Sequence, residues 1–501
     1  MARLKKIKLG GGLDRASAHI NAYAGSLITG VNVECKPNGG YRRIKGYVPL
    51  STTAVPGNGR ILGVWVYGGE LYTFRNSTTG TSASMWQFDG SGWQERKSGL
   101  DPDGHYEFVN YAFAGTEKMY GVSGSHKAFE WDGSNWTDLS TGMVDDRPSH
   151  LIAHRKHLFL SFGQSVQFSG VGEPTSWSLA TGAGEMVLGH TVTGFAKLVG
   201  GVLAIFTENS ISTLSGASAA QWSASDLAEF GSNAGAVASS IQQMGSDIRF
   251  MGVRGVTDFV ASQRFGDFED AVLSRNIDPL IEGMAPKVSS SVVVREKNQY
   301  RIFFENGEGF IFVFSSKGLV GITQTRFPNV VRTVCNSEDA NGEEVIYFGS
   351  DDGLIYQMER GDALGGNNLL ALFETAYTNL GLLSHVKRFR RARIDMQANG
   401  IVNINMRPDF RLGAGGVPAT PPESLTVSNH SVNITDPTVP LGGSATLSST
   451  ILGGAPIVEG RVELDGRGDW ISFRFYSNSE TDPVWEIDGI TVEFLPGRQR
   501  R

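Results

Sequence analysis

The chain is expected to be all-β: a β-propeller joined to a second, sandwich-like β domain. Three observations predict this. Residues 88–93, FDGSGW, return as residues 131–136, WDGSNW, with Asp89 and Asp132, Gly90 and Gly133, and Trp93 and Trp136 each 43 residues apart. Trp177 follows 41 residues later and Trp222 a further 45. A fixed period of this size means one supersecondary unit copied along the chain. Four strands of about six residues with turns of about four come to roughly 40 residues, one propeller blade. The second observation is composition: 64 glycines in 501 residues and only 19% charged residues, against roughly 25% charged in an average domain, suit many tight turns. Third, no stretch shows long helical periodicity, and the best helix candidates, residues 278–284 and 367–373, are short.

The first blade can be read strand by strand. Residues 61–67 alternate, Gly68-Gly69 turns, 70–75 returns, 85–88 is the third strand, Asp89 to Gly92 turns and 93–97 is the fourth. Asp-Gly between apolar runs supplies the positive φ of a tight hairpin. The tryptophans behind these turns are read as core, since regular spacing is what packing produces, and each alanine substitution is expected to cost about 3–5 kcal/mol.

Before the repeats, residues 1–55 hold two alternating runs, 27–35 and 41–47, around a turn at Pro37 to Gly40. This hairpin is expected to pack on the propeller or the C-terminal domain, with Arg42, Arg43 and Lys45 on its solvated face. Residues 56–362 carry the blades: seven, or six if the poorly marked stretch 232–270 is not one. From residue 363 to 501 the strands lengthen and the spacing is lost, which predicts the second β domain, completed by the N-terminal segment and interrupted by a low-charge arm at 412–458.

Sites are scarce. His150, His154 and His157 fall on a strand, where the last two face opposite sides, and are read as exposed. The adjacent carboxylates Asp145-Asp146, Glu343-Glu344 and Asp351-Asp352 lie in turns and diverge. Arg467-Gly468-Asp469 reads as a turn before a strand, and the sequons at Asn429 and Asn433 have no secretory signal to give them meaning. Gly10 to Gly12 is too short for a phosphate cradle, and G-x-S-x-G, P-loop and H-E-x-x-H patterns are absent. No catalytic, cofactor-binding or metal-binding residues are therefore expected, and the protein is not expected to be an enzyme. The densest charge run, Lys387, Arg388, Arg390, Arg391 and Arg393, places Lys387, Phe389, Arg391 and Arg393 on one strand face. In an acidic chain it suits a subunit contact better than DNA phosphate.

The net charge of −7 argues against a general nucleic-acid binder. Cys35 and Cys335, 300 residues apart, make neither a disulfide framework nor a metal cluster. Glycines follow the basic start where a signal core would stand, and the most apolar run, 198–206, is too short to span a bilayer. A soluble protein made in the cytoplasm is expected.

The first blade partly resembles a kelch repeat: a glycine pair, the tyrosine of LYTF, then Trp93. The second blade lacks the diglycine and Arg155-Lys156 replaces it in the third. That partial likeness keeps a kelch-like glycan-binding or carbohydrate-active propeller as one alternative, and a cytosolic interaction scaffold as another. The flanks carry a further resemblance. The opening, GGLDRASAHINAYAGSLITGVNVECKPNGGYRRIKGY, with its G-G-x-R-R-x-x-G-Y hairpin, and the close, KRFRRARIDMQ with GDWISFRFYSNSETDPVWEIDGITVEF, look like the ends of the tail nozzle proteins of short-tailed double-stranded DNA phages, also called tail tubular protein B or hub proteins. The resemblance implies a virion tail component, made in the host cytoplasm. It implies a homohexameric ring below the portal and adaptor proteins, beside tail fibres or spikes, whose channel retains and then conducts double-stranded DNA. The 412–458 arm is expected to reach a neighbouring subunit or another tail protein.

Overall fold

The structure, a computed structural model, describes residues 2–18, 21–226, 235–259, 272–383, 385–398, 402–411, 431–434 and 458–499. Blade one is the antiparallel sheet Asn58–Tyr67, Glu70–Asn76, Ala83–Phe88 and Trp93–Leu100. Blades two to four repeat it from Glu107–Tyr111, Leu151–His154 and Val192–Leu198, and blade five has three described strands, starting with Gln242–Met244. Blade six starts with Val288–Val294 and blade seven with Thr333–Glu338. The seven first strands neighbour one another in sequence order and the last neighbours the first, so the ring closes.

The outer strand of blade seven is not local. Tyr47–Pro49 pairs with Ile355–Met358, Pro49 opposite Tyr356 and Tyr47 opposite Met358. Pro49 is tolerated because nothing pairs beyond it.

The other β body is two packed sheets. One runs in the order Val33–Cys35, Tyr41–Arg43, Trp485–Gln499, His385–Ala398, Val458–Gly468, with Arg3–Lys8 also pairing Trp485–Gln499. The other runs Leu27–Val31, Leu369–Thr375, Trp470–Ser479, Val402–Arg411, Ser431–Ile434, and continues blade six through a parallel pairing of Val31 with Gln324. Propeller and sandwich thus share one nine-stranded sheet. The buried core between the sandwich sheets includes Phe389, Ile394, Phe475, Trp485 and Ile487, and it merges with that of blade six. Of the 412–458 arm, Ser431–Ile434 pairs with Val402 to Asn405, Val458 begins the edge strand Val458–Gly468, and the rest lies outside the described residues.

Several expectations change. Residues 367–373 are not a helix: Leu369, Ala371 and Phe373 are buried at period two in a strand, where two flanking strands override a weak local preference. Residues 278–284 hold only the short helix Asp278–Ile281. The run 466–468 is strand, with Gly466 opposite Phe389, and the chain bends at Asp469 to change sheets.

The aspartates of the two repeated hairpins do the same work. Asp89 Oδ1 accepts from the backbone N–H of Ser91 and Gly92 at 2.9 and 2.7 Å, and Asp132 Oδ1 from Ser134 and Asn135 at 2.8 and 2.7 Å. Trp93 then stands opposite Phe88 and Trp136 opposite Trp131. Trp177 differs, lying in the loop before Gly184–Val187, yet Trp93, Trp136, Trp177 and Trp222 each pack on the cluster between their own blade and the one before. All four are half-buried. The fully buried member of the second hairpin is Trp131. Alanine at Trp93, Trp136 or Trp177 should therefore cost about 1–2 kcal/mol, below the ~3–5 of a fully buried large aromatic, as read from urea unfolding.

Candidate functional site

The seven first strands run around a central channel, and each sends side chains into it. A chamber of about 300 Å3 is lined from blade one by Trp65, from blade two by Glu107 and Phe108, from blade four by Thr193 and from blade five by Gln242. Blades three, six and seven contribute Leu151, Ser291 and Thr333. A smaller cavity of about 120 Å3, lined by Arg60, Ser289, Glu305 and Arg332, lies at the mouth where the first strands begin. His105 and Ser239 line both, and a 3.1 Å hydrogen bond joins Ser239 Oγ and His105 Nε2 between the two cavities. Ser239 has φ +62°, a conformation uncommon outside glycine that persists where surroundings over-determine it. Its carbonyl accepts from Ser291 Oγ at 2.6 Å.

The His105 ring is open to the channel at its surface, while the protein packed close around it lowers its pKa. Burial raises the Glu107 carboxyl, but His150, His105 and the Leu151 backbone N–H together hold the group down, with His150 Nδ1 and Glu107 Oε1 2.8 Å apart. A serine hydroxyl hydrogen-bonded to an imidazole is the nucleophile-and-base part of acyl transfer. The carboxylate that would orient such a base is here turned to the other histidine. What the chamber offers directly is recognition: the rings of Trp65 and Phe108 stacked at 5.6 Å, with hydroxyl and amide groups around them.

A second charged constellation sits where hairpin, sandwich and blades six and seven meet, beside a cavity of about 670 Å3. Glu34, with no exposed side-chain surface, accepts from Lys297 Nζ at 2.9 Å and Gln299 Nε2 at 2.6 Å and pairs with Arg42 Nε. Glu359 pairs with Lys297 at 2.6 Å and Arg301 at 2.5 Å. Burial raises both carboxyls, yet the surrounding cations hold both below the ordinary carboxylate range. Arg43, expected on a solvated face, is fully buried and donates from Nη2 to the carbonyls of Asp362 and Ser479 at 2.6 and 3.2 Å. The strands of the hairpin are covered on both faces, one by the sandwich and the other by the blades, while Arg42 is half-buried and Lys45, just beyond them, is exposed as expected.

The other sequence candidates scatter. The three histidines are buried, not exposed: His150 holds Glu107, His157 Nδ1 lies 2.5 Å from the Ser169 carbonyl with its ring against Trp222, and burial lowers His154 to about 4. Asp351 pairs with Arg332 at 2.8 Å, Asp352 accepts from Tyr356 OH at 2.6 Å, Asp146 accepts from Thr141 Oγ1 at 2.7 Å, and Glu344 accepts from the backbone N–H groups of Arg295 and Glu296. Cys35 and Cys335 are buried free thiols. No group of three or more His, Cys, Asp or Glu side chains placed to hold a metal occurs among the described residues, and none of their helices is long and apolar enough to cross a membrane.

The basic run does not share one face. Phe389 stands opposite Phe494 and Arg391 opposite Glu493, so Arg390 is an extra, bulged residue. The bulge inverts the alternation: Lys387 and Phe389 point inward before it, and Ala392, Ile394 and Met396 after it. Arg391 turns outward to Glu463 at 2.9 Å. Lys387 donates to the carbonyls of Leu382, His385 and Asp469 at 2.7, 3.0 and 2.8 Å, and burial lowers it to about 8.

No protein-family model and no curated protein sequence matches the chain. Solved structures do. The extracellular domain of BT4673 from B. thetaiotaomicron matches with a TM-score of 0.40 and 7% identity over 69% of this chain, which spans 42% of that one. Virginiamycin B lyase from Staphylococcus aureus matches at 0.39 and 9% identity, over 62% of this chain and 97% of its own. U3-55K matches at 0.42 and 12%, over 62% and 99%.

Proposed function

We propose that the protein is a structural component of a phage tail, a nozzle subunit that assembles as a homohexameric ring below the portal and adaptor proteins and beside the tail fibres or spikes. In this role the ring's channel retains the double-stranded genome and then conducts it. The observation that carries the reading is where the resembling residues lie. The hairpin pattern G-G-x-R-R-x-x-G-Y occupies the joint between propeller and sandwich, and five of its six fixed positions, Gly40, Arg42, Arg43, Gly46 and Tyr47, are used there. Gly40 has φ +96°, and a Cβ would meet Asp488 Oδ1 at 2.6 Å. A Cβ on Gly46 would meet the Ala363 carbonyl oxygen at 1.9 Å. Arg42 joins the buried ion web, Arg43 is buried whole, and Tyr47 closes blade seven. A resemblance on residues that lock two bodies together is one of architecture, and a stiff two-body subunit suits a load-bearing ring. The net charge of −7 suits a conduit as well, because a basic lining would hold DNA by counterion release.

The test is mass spectrometry of purified particles of the phage that encodes the chain, with native mass of the recombinant protein. The expected result is the protein in the virion and a sixfold ring. Absence from purified particles would remove the proposal. One observation favours a second reading, a glycan-binding propeller: Trp65, Phe108 and Glu107 converge on one axial chamber.

A further inference from the structure

The inner strand of blade four carries a bulge at the level of the axial chamber. Val192 stands opposite Thr207 and Gly194 opposite Phe206, which leaves Thr193 as the extra residue. Bulges beside sites re-aim a side chain that the ladder would otherwise place elsewhere. Here the bulged residue lines the chamber. Thr193 is 9% exposed, and its Oγ1 has no hydrogen-bond partner among the described residues. A buried hydroxyl without a partner carries a desolvation cost that a bound ligand would relieve. Around it lie the stacked Trp65 and Phe108 rings, the Thr333 hydroxyl, the Glu107 carboxylate, and Gln242, whose Nε2 donates to Ser291 O and Oγ at 3.0 and 3.2 Å and whose amide oxygen remains an acceptor group. His150 already partners Glu107, so no isolated charge calls for an ionic ligand. At about 300 Å3 the space sits at the small end of the roughly 300–1,000 Å3 range of ligand sites.

We propose that this chamber binds a neutral, monosaccharide-sized polyol, with the aromatic pair against an apolar part of its ring and Thr193 Oγ1, buried and without a partner among the described residues, rotating about χ1 to donate to, or accept from, a ligand hydroxyl. The proposal rests on the second reading above for its location. A tail protein can carry the same site, so membership of the virion does not decide it.

The probes are D-glucose, D-galactose, N-acetylglucosamine and myo-inositol, added at millimolar concentration to the full-length protein and followed by saturation-transfer NMR and by the thermal unfolding midpoint. At least one should bind saturably. Thr193→Val should weaken that binding about tenfold, the factor that one hydrogen bond of ordinary strength supplies, while the midpoint of the ligand-free variant stays level or rises. Gln242→Ala, which removes the amide together with its hydrogen bonds to Ser291 at 3.0 and 3.2 Å, should weaken binding as well. The proposal is overturned if none of the four probes binds. It is equally overturned if binding is unchanged in both variants, which would put it outside the chamber, or if Thr193→Val lowers the ligand-free midpoint, which would mean that its hydroxyl is already partnered.

Discussion

Replacing Glu34 by alanine is expected to cost about 3–5 kcal/mol, the usual effect of removing one member of a buried ion pair. Glu34 lies on the hairpin strand Val33–Cys35, while Lys297, Gln299 and Arg301 belong to blade six and Glu359 follows blade seven. Without it Arg42 and Lys297 each lose an anion, and Arg301 Nη2, 3.7 Å from Glu34 Oε2, keeps Glu359 and the amide oxygen of Gln299. Exchanging the whole web for apolar residues of similar volume should cost far less, because no unpaired charge would remain. The pH dependence has a definite sign. The Glu34 carboxyl is held below its unfolded value, so its contribution is fully present above the ordinary glutamate pKa of about 4.3 and is lost as the pH falls through the depressed folded value. Denaturant unfolding of parent and Glu34→Ala at pH 7 and pH 3 measures both effects, and the difference between the two proteins should shrink at the lower pH. A cost below ~1 kcal/mol at pH 7, as for a surface pair, would show that the web does not join the two bodies.

Much of this fold is legible in the sequence because blade geometry is local. Asp89 and Asp132 announce their hairpins, since side chain and turn are only three residues apart and each aspartate accepts from the backbone ahead of it. What could not be read is what depends on distant chain or on a single inserted residue. The bulge at Arg390 reverses which arginines face the core, and strict period-two reading carries the wrong phase past it. Arg43 and the three histidines look like exposed polar residues until the covering sheet is known. The axial chamber is less visible still, since it takes one to three residues from each of seven strands spread between Val64 and Val334. Thr193, which matters most there, has no motif around it. Its only sequence signal is the glycine that follows it.

Tyr47→Ala is expected to open the ring at blade seven at a cost of about 3–5 kcal/mol, the range for deleting a buried large aromatic. Tyr47 is 1% exposed, and its ring meets Phe327, Phe348 and Tyr356 edge-on with centroids 5.1, 5.0 and 5.2 Å away. Its hydroxyl donates to Asn329 Oδ1 at 2.8 Å, and its backbone N–H to the Ala363 carbonyl at 3.0 Å. A strand of three residues, Tyr47–Pro49, forms too few ladder bonds to hold its place unaided, so the side chain must supply the anchorage. Tyr47→Phe keeps the ring and loses one hydrogen bond, which should cost about 1 kcal/mol. The location of the damage separates closure from ordinary core loss. Hydrogen exchange should accelerate first in Ile355–Met358, which pairs with this strand, and then in Thr333–Glu338 and Asn58–Tyr67, the first strands on either side of the seam. Blades two to four should keep their protection. If Tyr47→Ala instead lowers protection evenly around all the blades, or leaves Ile355–Met358 as slow as before, the N-terminal strand is not what closes the propeller.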